Sequence, residues 1–301
     1  MLDAFRHEAC RTRRAAAVGG ATAKLCPATG FGPARKARRT STQRNLRGAA
    51  SALADPAGRA IPLVLGVIAG STDTIGFLGL NGLFTAHITG NLVVLAAHFV
   101  AGDPTIFSHM LALPVFMLML FLTRLLAGGL ERAGRSTMRP LLLMEVLLLV
   151  AFLVVCGLWG PWRDPNALLA TTAGLLGVAA MAVQNALVQI SLTNTPATSV
   201  MTTNVTRFML DLGEVLVGRD RAKAAQARRR AMQTFPVILG FATGCVLGAA
   251  FEAAAGLWSL ALPTGLALIA FGIGSIKESS SRSRTVEFNR PTIAHVKGET
   301  P

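Results

Sequence analysis

Beyond residue 60 the chain is a succession of apolar runs of about 20 residues parted by short polar breaks. Eight runs can be marked, at 61–80, 83–101, 106–126, 141–159, 167–190, 198–217, 235–255 and 258–276. At 1.5 Å per helical residue such a run matches a hydrocarbon layer of about 30 Å, so the pattern predicts an all-α polytopic transmembrane helical bundle. Two runs are poor lipid-facing spans. The sixth contains Arg207, Asp211 and Glu214, each costing about 2.5–3.5 kcal/mol at a bilayer centre. The second opens on Thr85-Ala86-His87-Ile88-Thr89-Gly90-Asn91 and leaves only 92–101 continuously apolar.

The basic residues test the arrangement, because cytoplasmic loops hold the excess of Lys and Arg. If all eight runs cross from a cytoplasmic N-terminus, the loop with Arg132, Arg135 and Arg139 lies outside. If runs two and six are short broken or re-entrant segments, six full spans remain, and that loop, the 219–230 loop and both termini face the cytoplasm. Trp159, Trp162 and Trp258 then share the outer boundary, where amphipathic rings prefer to sit. Six spans fit better than eight. Re-entrant backbone needs protein or a watery cavity around it, so two such segments imply a cavity.

Composition agrees: 52% of residues are apolar and 15% charged, against roughly 45–50% and 25% in soluble domains. The net charge of +14 would suit a nucleic-acid partner if it were spread over the chain. It is not. Residues 1–59 hold 12 basic and 3 acidic side chains, and the remaining 17 basic and 12 acidic give only +5 over 60–301. Segment 1–59 is expected to be a disordered basic cytoplasmic tail, although its Arg-rich, acid-poor composition also resembles a transit peptide. Its stretch 15–23 is too rich in small residues and glycine for a secretory apolar core. The bundle is expected over 60–276, in halves of about 60–160 and 167–276, with a second disordered cytoplasmic tail over 277–301. Cys10, Cys26, Cys156 and Cys245 have neither zinc-ligand spacing nor a disulfide-rich setting. No metal or cofactor is expected.

A weak internal repeat carries the functional reading. Gly66 to Asn91 and Gly177 to Asn204 share a plan: a glycine-containing helix polar in its second half, a break, then a Thr-rich polar stretch. Asp73-Thr74 aligns with Gln184-Asn185, and Thr89-Gly90-Asn91 with Thr202-Thr203-Asn204, after two extra residues in the second break. With six spans the two copies enter from opposite faces. Many secondary transporters have such an inverted repeat, with interrupted helices meeting at the midplane.

The stretches Ala69-Gly70-Ser71-Thr72-Asp73-Thr74-Ile75-Gly76-Phe77-Leu78 and Leu83-Phe84-Thr85-Ala86-His87-Ile88-Thr89-Gly90-Asn91, with Gln184-Asn185-Ala186 and the Thr-rich stretch after it, resemble the YoaK-like bacterial membrane protein family, domain of unknown function 1275. The resemblance covers about residues 60–276. It implies a multispan inner-membrane protein, sometimes described as a small-molecule permease, and supplies neither substrate nor catalytic residue. The family's second copy usually reads Thr-Gly-Thr. Here Thr203 takes the glycine position, so close backbone approach there is less assured.

Asp73, about 18 Å along the first helix from Ile61, is the sharpest candidate: an intramembrane carboxylate has to pair, face a cavity or hold a proton. Gly66 and Gly70 share its face and permit close helix approach. The expected pathway residues are Asp73, Thr74, His87, Thr89, Gly90, Asn91, Gln184, Asn185, Thr202 and Asn204. Each has a structural alternative: Asp73 could tie the broken helices together, His87 could be an interior donor, and the two amides could bridge helices. Arg207, Asp211 and Glu214, at spacings of four and three, are expected to form one ion cluster. Glu145 and Glu252, about five residues from span ends, need only snorkel or find a helix partner. Arg228, Arg229 and Arg230 suit a topology anchor beside anionic lipid.

The leading function is therefore a permease moving a small molecule or ion, unidentified, through a polar midplane cavity, with a passive channel as its nearest variant. A non-transporting assembly or signalling protein is the alternative. A membrane enzyme is disfavoured, since no zinc-protease pattern, phosphate loop or nucleophile elbow is found. The expected partners are the lipid bilayer and the solute; nucleic acid is not one, and a homo-oligomer is left open.

Overall fold

The computed structural model describes residues 56–102, 107–192, 195–198 and 200–288, and every regular element among them is helical. The basic segment before Pro56, with Cys10 and Cys26, lies outside the described residues, as does 289–301. The helices are α1 (Pro56–Gly79), α2 (Ile88–Ala101), α3 (Phe107–Arg132), α4 (Met138–Trp159), α5 (Leu168–Ser191), α6 (Met201–Val217), α7 (Arg221–Ala255) and α8 (Ala261–Phe288), with a 3-10 turn (Gly256–Leu260) joining the last two.

Five helical stretches are long and apolar enough to cross a membrane: Ala60–Gly79, Phe107–Arg132, Met138–Trp159, Leu168–Ser191 and Arg221–Ser275, the last holding α7, the 3-10 turn and the start of α8. Residues 83–87 of run two, and Thr198 and Val200 of run six, are not helical. They leave α2 with 14 residues, about 21 Å, and α6 with 17, about 25 Å. Two other ends depart from the hydropathy pattern. α7 begins at Arg221 rather than 235, because Asp220 caps it by accepting from the amides of Ala222 and Lys223 at 2.8 and 3.4 Å. α8 continues past 276 to Phe288.

The surface is apolar and the interior partly polar, the reverse of a soluble domain. Phe121 is 61% exposed, Leu216 73% and Val100 86%, whereas Asn91 and Gln184 are wholly buried. α5 is central: each residue from Gly177 to Val188 is buried, so it is surrounded by protein along its second half. It runs antiparallel to α4, since Thr137 and Ser191 hydroxyls meet at 3.0 Å while Phe152 lies beside Gly177. α8 is antiparallel to α4 as well, with Thr264 reaching the Leu149 carbonyl and Gly274 beside Leu142.

α1 and α7 are parallel and touch backbone to backbone. Gly66 and Gly70 of α1 interleave with Gly240, Gly244 and Gly248 of α7, at spacings of four that put each set on one helical face. A Cβ on Gly66 would stand 2.8 Å from the Val237 carbonyl oxygen, and one on Gly248 2.9 Å from the Ser71 Cα. Neither neighbour can yield, being backbone.

The remaining partners fall into matched pairs. α1 packs on α7 and α5 on α3; α1 packs on α8 and α5 on α4; α2 packs on α3 and α6 on α7.

Gly244→Ala is expected to destabilise the bundle by about 1–3 kcal/mol through overpacking. Gly213→Ala, where no atom lies within 4 Å, should be neutral or stabilising by up to about 1 kcal/mol. Thermal unfolding of the two purified variants in detergent checks the pair.

Candidate functional site

The site begins where α1 stops. Asn81 and Gly82 adopt left-handed backbone, with φ of 54° and 83°, and the Gly82 amide returns to the Phe77 carbonyl at 2.9 Å. The chain therefore doubles back beside the helix it has just left. Thr85 inserts between α1 and α5, its methyl 2.9 Å from where a Cβ would stand on either Gly76 or Gly177, and Leu83 lies against Gly174. Three glycines make room for this break.

Its peptide groups are met by side chains. Asp73 Oδ1 accepts from the Ala86 amide at 2.7 Å, the His87 amide at 3.3 Å and the Thr85 hydroxyl at 3.5 Å. Oδ2 lies 2.7 Å from His87 Nδ1, which places the imidazole proton on that nitrogen. His87 is the N-cap of α2 and makes no side-chain cap bond, so the carboxylate supplied by α1 serves as the anion at this helix N-terminus. Asn91 closes the other side. Its Oδ1 accepts from the Phe84 amide at 2.9 Å and its Nδ2 donates to the Phe84 carbonyl at 2.7 Å. The Asp73 side chain is only 6% exposed; that of His87 is 34% exposed, its ring beside those of Phe84 and Phe241.

A second cluster sits at the other break. Gln184 Nε2 donates at 2.9 Å both to the Leu65 carbonyl of α1 and to the Thr198 hydroxyl. Asn204 Nδ2 donates to the Ala197 carbonyl at 2.7 Å. Asn91 and Asn204 are each the fourth residue of their helix, and each reaches back seven residues. The pairing of Leu65 with Gln184, and of Gly76 with Gly177 across Thr85, makes α1 and α5 antiparallel at their crossing.

The expected residues divide. Asp73, His87 and Asn91 gather at the first break, and Gln184 and Asn204 at the second. Asn185 is buried and donates to the Met181 carbonyl at 3.0 Å, within its own helix. Thr74 is half-buried beside Cys245 of α7. Thr89 and Thr202 face outward, away from both clusters. Gly90 is helical, the third residue of α2, and its missing side chain admits the Phe84 ring, 2.9 Å from where a Cβ would stand.

That contact accounts for Thr203. In the sequence alignment of the two stretches, Ala197 and Thr203 stand at the positions of Phe84 and Gly90. Ala197 has no ring for Thr203 to accommodate, and Asn204 still holds its carbonyl.

Two acidic expectations are corrected. Asp211 pairs with Arg230 of α7 and not with Arg207: Arg230 Nε and Nη2 reach Oδ1 at 2.9 and 2.5 Å, while Arg207 is exposed. With Leu210, Glu214, Lys223 and Gln226, this pair borders a cavity of about 440 Å³ at the α6–α7 turn. Glu145 does not snorkel; it is 1% exposed, and neither oxygen has a hydrogen-bond partner.

Thr85 and Thr198 belong to the clusters without having been singled out in the sequence. Their signal was present, since each stands six residues before its asparagine. Among the described residues, no three His, Cys, Asp or Glu side chains converge as a metal site would need. The chemistry available is hydrogen bonding and, through the partly exposed His87 imidazole, exchange of a proton.

Residues 61–273 match a protein family described as "Protein of unknown function (DUF1275)". No curated protein and no solved structure matches the chain.

The Phe84–Gly90 contact predicts a coupled pair. Gly90→Thr should destabilise the protein, and adding Phe84→Ala should recover part of the loss, with a coupling energy of about 0.5–3 kcal/mol. Denaturation of the two single variants and the double variant measures it.

Proposed function

The chain belongs to the DUF1275 family, and on that premise we propose that it is a six-span membrane protein acting as a permease for a small molecule or ion, built from two inverted halves. The observation that carries this reading is the matched pair of clamps at the α1–α5 crossing. Asp73 with Thr85 in one half corresponds to Gln184 with Thr198 in the other, and Asn91 to Asn204. The packing partners also exchange when the halves are exchanged, α1 for α5, α2 for α6, α3 for α7 and α4 for α8. Two breaks resting on antiparallel helices at one crossing resemble the construction in which transporters hold a solute between halves.

In this reading α1, α3, α4, α5, α7 and α8 cross, and α2 and α6 dip in and return. Both termini and the 132–139 and 219–230 loops then face the cytoplasm, in keeping with the Lys and Arg bias of an inner membrane. Asp73, His87 and Asn91 serve the outer half-site and Gln184 and Asn204 the inner one. The protein is not an enzyme in this reading, which rests on the lack of a zinc-protease pattern, phosphate loop or nucleophile elbow in the sequence.

One observation favours a non-transporting alternative. Asp73, Asn91 and Asn204 are all engaged by their own chain, as rigid struts of an assembly protein would be. Accessibility separates the two. Single cysteines at 85, 135, 163 and 198, in a background lacking the four native ones, are probed in intact cells with a membrane-impermeant thiol reagent. The permease is expected to give labelling at Arg163→Cys and slow labelling at Thr85→Cys, with Arg135→Cys and Thr198→Cys labelled only after the cytoplasmic face is opened. If Thr85→Cys and Thr198→Cys resist reagent from both faces while Arg163→Cys reacts, the halves do not open and the strut reading replaces this one.

A further inference from the structure

Glu145 lies seven residues into α4 from Met138, about 10 Å along the axis, and is buried with both carboxyl oxygens unpartnered. It belongs to the inward face formed with Leu142, Leu149, Phe152 and Cys156. The α4–α5 register is fixed by Thr137 against Ser191 and Phe152 against Gly177, which sets Glu145 level with Gln184. Gln184 has spent its Nε2 on Leu65 and Thr198, and its Oε1 is likewise unpartnered. On the other side, Leu149 against Thr264 and Leu142 against Gly274 set Glu145 between them, at the level of Ala267 and Ala270.

Among the described residues, no countercharge faces it. α5 contains no Asp, Glu, Lys, Arg or His, and neither do the 3-10 turn or residues 261–275 of α8. These are the elements packed on α4. On α4 itself, Arg139 is one and a half turns away and donates to the Ser275 carbonyl. A carboxylate deprived of water, donor and cation is far less stable than the neutral acid, which has an O–H to give. In the closed interface the acid form is therefore the one that fits.

We propose that Glu145 is a proton-binding site set in the α4–α5–α8 interface, neutral while the interface is closed and ionised only when α4 parts from α5 and water enters. The step is an ordinary acid dissociation: the O–H bond breaks, the proton passes to an entering water molecule, and the electron pair stays on the carboxylate. Closure requires the proton to return. Because Gln184 is tied to Leu65 and to the second break, opening beside it would disturb the α1–α5 crossing. The site stands on the packing of α4 and does not need the transport reading; within that reading it supplies the coupling proton.

The test uses full-length protein in lipid nanodiscs with no solute, so its outcome is separate from that of any transport assay. Infrared spectroscopy across pH should show a neutral carboxylic acid band in the wild type that is absent from E145Q and fades as the pH becomes alkaline. Cys156, 1% exposed on the same face, reports opening. Its alkylation by N-ethylmaleimide, resolved by mass spectrometry, should accelerate several-fold more on alkaline transfer in the wild type than in E145Q, which stays neutral. Should E145Q fail to fold, Glu145→Leu gives the same two comparisons. Identical acid bands in wild type and variant at neutral pH, or superimposed Cys156 rate profiles, overturn the proposal.

Discussion

A peptide group released from a helix within apolar surroundings has to find its partner in the protein, and this constraint shapes the centre of the molecule. Ala86 and His87 lie outside any helix, between α1 and α2, and both amides end on one oxygen of Asp73. Asn91 settles the amide and carbonyl of Phe84 together. With these bonds the chain can leave α1, turn through Asn81 and Gly82, and return to the α1–α5 crossing at little electrostatic cost. Without them the natural outcome of so apolar a sequence is an uninterrupted helix. The glycines at 76, 174 and 177 are the steric half of the same arrangement, since Leu83 and Thr85 occupy space that side chains there would fill.

The two clamps solve one problem with different charge. Around the first break a carboxylate collects hydrogens from three groups and faces an imidazole; around the second an amide divides its Nε2 between a carbonyl of the opposite helix and a threonine hydroxyl. A charge-assisted clamp is the stronger and the more sensitive to protonation. The amide clamp is permanent in charge but bridges α5 to α1 directly, through Leu65. Steric detail differs as well: Phe84 lies over Gly90, whereas the residues aligned with them in sequence are Ala197 and Thr203.

Much of this is legible in the sequence, and the illegible part has identifiable causes. Hydropathy places the long helices, and the interior charge of Asp73 marks it for burial with partners. The repeat directs attention to Asn91 and Asn204. Periodicity fails with Thr89 and Thr202, which stand beside those asparagines in the chain and yet face outward, because only one face of a helix start meets the break. Arg207 and Asp211 sit a turn apart on α6, but helical spacing says nothing of what α7 brings, and Arg230 takes the carboxylate with two nitrogens. For Glu145, distance from a helix end suggested a snorkelling side chain; the face it occupies, set by α5 and α8, turns it inward. Asp220 and the early start of α7 lie in polar sequence where hydropathy is silent.

The account rests most directly on the break being a fixed element held by Asp73. Hydrogen–deuterium exchange by mass spectrometry, on the wild type and Asp73→Ala in nanodiscs, measures this at the amides of residues 84–88. The wild-type amides should exchange as slowly as those of α1, and the variant should lose protection there while keeping it in α4 and α5. Rapid exchange of the segment in the wild type, or equal protection in both proteins, would contradict the account.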